Sequence, residues 1–174
     1  MKFELLADLD DAPAESVVTF DGCEALGAVN LRGSGYTARD VVPHTLTARI
    51  GGVLHRAEVN IAGLAGFLLA KTAAAHSRRL PKDWYDVAFV LLHNDHGGPE
   101  GAAEAVRARF HPDLTGRMRT ALEDLRANFV VPTAQGPRAY ADQMLIDHPG
   151  LDAVTIATDA VLAVERFCGA VASG

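Results

Sequence analysis

Hydrophobic residues follow two periods along this chain, and the switch between them near residue 60 divides it. In the first part the apolar positions come in short alternating runs. "KFELLADL" (2–9) alternates from the start and reads as a strand, "LDDAPAES" (9–16) is acidic with a proline and reads as a loop, and "VVTFDG" (17–22) reads as a second short strand. "NLRGSGYTARDVVP" (30–43) is polar and rich in glycine and is expected to be irregular. The clearest signal in this part is "HTLTARIGGVLHRAEVNIAG" (44–63), where Leu46, Ala48 and Ile50 alternate with Thr45, Thr47 and Arg49 before a Gly51-Gly52 pair and a second run from Val53 to Val59. That pattern predicts a β-hairpin with a two-residue turn, since glycine accepts the positive φ such turns need.

From residue 61 the apolar spacing becomes helical. It predicts helices near 61–79, 83–95, 99–109, 114–128, 138–147 and 150–170. Pro99 suits a first turn, Asp113 and Asp83 suit N-caps, and Pro81 is expected to end the first long helix. Strands first and helices later means an α+β fold, a β-region over 1–60 and a helical region over 61–174, packed as one unit.

Composition narrows the class. The chain has 174 residues, 49% hydrophobic and 22% charged, the profile of a folded domain. A net charge of −6 argues against broad adhesion to nucleic acid or anionic membrane. No apolar run approaches the ~18 residues of a membrane span. Cys23 and Cys168 give neither a disulfide framework nor metal spacing and read as reduced thiols, so a cytoplasmic location is expected.

Candidate chemistry gathers around "KTAAAHSRRLPKDWYDV" (71–87). Lys71 falls seven residues after Leu64, inside the stripe formed by Leu64, Phe67, Leu68 and Ala75. An ammonium there must snorkel, meet an acid or face a polar site. Asp83 and Asp86 open the next helix, whose "VAFVLL" is apolar on every face, so Asp86 is expected at the edge of the core and in need of a cation. Lys71 is the candidate partner, and Arg78, Arg79 and Lys82 beside the pair offer donors for phosphate oxygens. Local structure accounts for the same residues in another way: cations complement the end of one helix and carboxylates the start of the next.

"LLAKTAAAHSRRLPKDWYDVAFVL" (68–91) resembles the lysine, arginine and K/R-D-x-Y-D-L segment of the AbiEii/AbiGii-type nucleotidyltransferase toxins, as do the hairpin before it and "KFELLA". The resemblance covers about residues 1–95. It implies a polymerase-β-like nucleotidyltransferase core followed by a helical bundle, Mg²⁺ and a nucleoside triphosphate as cofactor and substrate, and transfer of a nucleotide to RNA such as tRNA. It implies that Lys71 contacts the triphosphate, that Asp86 is the late aspartate of the active site, that Asp83 is the acid before it, and that Glu4 is the strand acid at the metal. The family's first motif, a Gly-Ser or Gly-Gly turn leading to a D-x-D strand, is expected ahead of the Glu4 strand, so the resemblance implies an N-terminally incomplete copy, inactive by itself. "RGSGYTARD" (32–40) imitates that turn but lies downstream. An antitoxin, a complementing N-terminal half, or a homo-oligomeric or hetero-paired assembly is the implied partner, with strand pairing at an exposed edge.

Two other readings stand beside this one. The chain is a noncatalytic binding or partner subunit whose Lys71–Asp86 corner is structural, or a metal-dependent hydrolase using His93, Asp95 and His96 of "HNDHGG".

Overall fold

The computed structural model describes residues 4–173. Five strands precede or interleave one short helix, and six longer helices follow: β1 Leu6–Ala7, β2 Val17–Phe20, β3 Cys23–Asn30, α1 Gly35–Arg39, β4 Val41–Ile50, β5 Val53–Ala62, α2 Leu64–Arg78, α3 Pro81–His93, α4 Gly98–Phe110, α5 Gly116–Ala127, α6 Gln135–Asp147 and α7 Ala153–Ala172. The mixed α+β class is as the sequence predicts. Each of the six expected helices is present, with no end displaced by more than three residues.

The core belongs to the helices. Leu68, Leu69, Trp84, Val87, Leu91, Val106, Phe110, Leu125, Val164 and Phe167 are fully or almost fully buried, and α3 runs through them against α2, α6 and α7. Near-continuous hydrophobicity around α3 follows from that central position. Trp84 meets Phe129 edge-on at a centroid distance of 6.2 Å. Gly136 opens α6 where a Cβ would lie 2.1 Å from the Phe129 ring, so the aromatic pair packs on bare backbone.

The β-region forms two separate small sheets. In the first, β3 lies between β1, which runs parallel to it, and β2, which runs antiparallel. The second is the β4–β5 hairpin alone. Its turn residues Gly51 and Gly52 both have positive φ, 59° and 85°, the two-residue turn the sequence predicts.

Several expectations are corrected. The Lys2–Phe3 end of the first expected strand lies outside the described residues, and the strand itself is two residues long. β3 had no counterpart in the sequence reading. The "irregular" stretch 30–43 contains α1 and the start of β4, which runs through Pro43. A proline is compatible with a strand whose outer edge pairs with no other strand among the described residues, as here. Asp113 does not cap α5; it lies in a 3₁₀ turn and binds Arg39, and Thr115 precedes the helix.

Asp40, at the end of the "RGSGYTARD" stretch, has a structural role. Its carboxylate Oδ2 accepts the Gly66 N–H at 2.8 Å, and its carbonyl accepts the Gly63 N–H. Gly63 at the N-cap of α2 has no side chain to satisfy the first-turn amides, so a residue 26 positions upstream does it. At the other end of the chain Asp152 caps α7 locally. The Thr155 hydroxyl and then the Thr155 N–H hydrogen-bond its carboxylate and hold its pKa below the usual value. A depressed carboxyl pKa contributes stability that is complete above the unfolded value and is lost as pH falls through the folded one. Asp152→Ala is therefore expected to lower the denaturation midpoint at neutral pH, and the difference from wild type should vanish in acid. A constant difference at all pH values would contradict this.

Cys168 sits on the buried face of α7, and burial pushes its thiol up to about 12. Cys23 is exposed. Since the thiolate is the reactive form, a thiol reagent at neutral pH is expected to label Cys23 quickly and Cys168 only after unfolding. Equal labelling rates in the folded chain would rule out the buried placement of Cys168.

Candidate functional site

The corner between α2 and α3 carries the charges that the sequence singles out. Arg79 ends α2 in the left-handed region, at φ 53°, which turns the chain sharply after the helix. Leu80 is the N-cap of α3 and Pro81 its first residue, where the missing N–H costs nothing. Pro81 therefore starts α3 rather than merely ending α2. Asp83 is not the cap but the third helical residue, and Asp86 lies one turn further in.

This offset decides which carboxylate is buried. Asp83 is 1% exposed and accepts from Arg78 Nη2 with both oxygens, at 2.8 and 2.9 Å. Lys71 Nζ stands 2.6 Å from Asp86 Oδ2 and 3.4 Å from Asp83 Oδ1. The side chains of Lys71 and Asp86 are 23% and 19% exposed. Lys71 also lies over the face of Phe67, 5.8 Å from its centroid. The result is a chain of alternating charge, Arg78–Asp83–Lys71–Asp86, sealed at Asp83 and open to water at its Lys71–Asp86 end. Arg79 and Lys82 are exposed beside it, Arg79 paired with Asp124 of α5 at 2.9 Å. The structure thus brings together Lys71, Asp83, Asp86 and Arg78, with Arg79 turned toward α5.

Arg78 links the corner to the first sheet. It lines a cavity of about 920 Å³ together with Glu4, Glu15 and apolar residues of β1 and β3 such as Leu6 and Val29. Leu6 pairs with Val29, so the apolar wall of the cavity is carried by neighbouring residues of β1 and β3. Glu4 and Arg78 therefore share one hollow, whose lining does not include Lys71 or Asp86. Arg78 Nε is buried without a hydrogen-bond partner among the described residues.

The residues of "HNDHGG" separate. His93, the last residue of α3, shares a 3.0 Å hydrogen bond with the Tyr140 hydroxyl, whose pKa burial pushes up to about 12. Asp95 and His96 are exposed in the following turn, 3.7 Å apart. No group of three His, Cys, Asp or Glu residues fit to hold a metal occurs among the described residues. A single carboxylate such as Glu4 is a poor Mg²⁺ site, since that ion takes several oxygen ligands in octahedral geometry.

One D-x-D spacing does occur, Asp8-Leu9-Asp10 directly after β1. Asp8 Oδ2 accepts the Gly33 and Gly35 N–H groups at 3.0 Å each, and Asp10 pairs with Arg32 at 2.7 Å and Arg117 at 3.3 Å. Both carboxylates therefore tie the β1–β2 loop to α1 and α5. Asn30, fully buried, completes that tie by bonding Leu9, Ala12 and Pro13 backbone groups. No helix of the described residues is long and apolar enough to cross a membrane. No family model matches the chain, and neither does any curated protein or any solved structure.

Proposed function

We propose that the chain is a nucleotidyltransferase-like protein whose α2–α3 corner contacts the polyphosphate of a nucleoside triphosphate, the family chemistry being nucleotide transfer to RNA such as tRNA. The observation that carries the reading is the convergence of Lys71 and Asp86 at 2.6 Å on a partly open corner, next to an arginine that shares a cavity with Glu4. Phosphoryl leaving groups need charge neutralised where it develops, and a lysine held by a carboxylate supplies a fixed positive point for that. Asp86 orients the ammonium, Asp83 fixes Arg78, and exposed Lys82 adds long-range attraction.

The described residues do not make a Mg²⁺ site by themselves, so no metal step is assigned to this chain. In the proposal the remaining carboxylates come from a complementing polypeptide that adds a strand to the side of β1 that pairs with no strand among the described residues. The chain alone then holds triphosphate weakly and does not turn over. Titration with magnesium-bound nucleoside triphosphates tests this by calorimetry. Weak saturable binding with little preference among bases is expected, because the contacts are to phosphate. Absence of any saturable binding would remove the reading.

A noncatalytic binding or partner subunit is the second reading. One observation favours it: Asp83 clamps Arg78 and reaches Lys71 at 1% exposure, as a purely structural bridge between α2 and α3 would. On that reading no triphosphate binds at the corner.

A further inference from the structure

A second cavity, of about 790 Å³, lies where the β1–β2 loop and α1 meet α2 and α5. Its volume is within the range that holds a small metabolite. None of Lys71, Arg78, Asp83 and Asp86 lines it, so it is distinct from the α2–α3 corner. Its lining carries three guanidiniums, Arg32, Arg39 and Arg117, against two carboxylates, Asp8 and Asp10, in a chain whose net charge is −6.

Two of these charges are committed elsewhere. Asp8 accepts the Gly33 and Gly35 amides, and Arg39 pairs with Asp113 at 2.6 Å. The other three converge on one atom. Arg32 Nη1 stands 2.7 Å and Arg117 Nη1 3.3 Å from the same oxygen, Asp10 Oδ1.

Arg32 does not need that carboxylate to stay in place. Its Nη2 donates to the Asp10 and Ala12 carbonyls at 3.0 Å each, and its side chain is only 23% exposed. The backbone thus fixes the guanidinium and leaves Nη1 for an anion. The Asp10 side chain, by contrast, is 92% exposed. Ion pairs to so exposed a carboxylate are weak and screened by salt. The same cavity is lined by apolar groups of Tyr36, Ala73, Met118 and Ala121.

We propose that Arg32 and Arg117 form a carboxylate site, filled in the free chain by Asp10, and that the cavity takes a small organic carboxylate with an apolar body. The ligand's carboxylate replaces that of Asp10 on the two Nη1 groups, an exchange of like for like that keeps both charge-assisted contacts. Its body packs against the apolar lining. Three cations facing two anions leave one charge to neutralise, which suits a monoanion. A polyanion meets repulsion from Asp8 and from the displaced Asp10. The proposal does not rest on nucleotide binding.

Calorimetric titration of benzoate into the full chain tests it. Saturable binding is expected, tighter by about threefold or more in Asp10→Asn, which removes the competing carboxylate. In the Asp10→Asn background, Arg32→Gln is expected to weaken binding about tenfold. Arg117→Gln, at a side chain 85% exposed, serves as the second variant should Arg32→Gln lose its circular dichroism signal, and is expected to weaken binding in the same direction. Lys71→Met is expected to leave benzoate binding unchanged, which keeps this result apart from that of the α2–α3 corner. No saturable binding in either wild type or Asp10→Asn overturns the proposal. So does equal affinity in those two proteins, affinity indifferent to Arg117→Gln, or loss of binding in Lys71→Met.

Discussion

Asp83→Ala is expected to lower the unfolding free energy by about 3 kcal/mol, while Lys71→Met, one link along the same charge chain, changes it by less than about 1 kcal/mol. The asymmetry comes from burial. Asp83 is 1% exposed and its removal takes from Nη2 of Arg78, whose Nε is already buried without a partner among the described residues, the carboxylate that accepts from it. Breaking a buried pair in this way costs about 3–5 kcal/mol, and the low end applies because Arg78 and Lys71 retain 29% and 23% side-chain exposure. Lys71→Met keeps the stem that packs along α2 and replaces an ammonium with a thioether. It leaves Asp86, 19% exposed, to be solvated by water. Asp83→Asn is expected to fall between the two. Equal losses for Asp83→Ala and Lys71→Met in chemical denaturation would show that the corner is one undivided network.

Trp84→Ala is expected to cost about 3–5 kcal/mol, the range for truncating a large buried aromatic side chain. Trp84 is fully buried at the centre of the helical region and its edge contact with Phe129 would be lost. Trp84→Phe is expected to cost far less, about 1–2 kcal/mol. The reason is specific to this site: the indole Nε1 is buried with no hydrogen-bond partner among the described residues, so phenylalanine gives up volume but none of the hydrogen bonds they make. A large loss in Trp84→Phe would reveal an acceptor at Nε1. Because Trp84 follows Asp83 directly, the two substitutions also separate the core from the corner that is built on it.

The helical region was legible because its signals are local. Apolar spacing and Pro99 in a first turn each act within a few residues. Lys71 stood out because a charge interrupted an apolar stripe, and Asp86 because it opened an apolar run. The fine assignment failed at Pro81. Read as a stop, it made Asp83 a cap; as the first residue of α3 it moves Asp83 to the third position, where the carboxylate comes within reach of Arg78 five residues back. A rule for proline at the first helical position carried that information, but the choice between stop and start depends on how α2 and α3 pack. Glu4 and Arg78 sharing a cavity, and Asp40 capping a helix 26 residues away, are tertiary facts with no local trace. The hairpin turn was clear from Gly51-Gly52, yet β4 extends through Pro43, where local preference alone argues for a break. α1 is five residues long, too short for a periodic signal.

The Asp8-Leu9-Asp10 spacing shows why a motif needs its context. The two acids have the separation expected of a metal-binding strand pair, but they follow a strand of two residues and are occupied by amides and arginines of the loop they hold.

On the proposed function, the ammonium at Lys71 serves phosphate binding rather than the fold. The most direct test is calorimetric titration of inorganic triphosphate, without nucleoside or metal, into the wild-type chain and into Lys71→Met. Saturable binding to wild type is expected, with at least a tenfold weakening in Lys71→Met and nearly equal thermal stability of the two proteins. Identical binding in both, or no heat beyond dilution in either, would contradict it and leave the corner as a bridge between two helices.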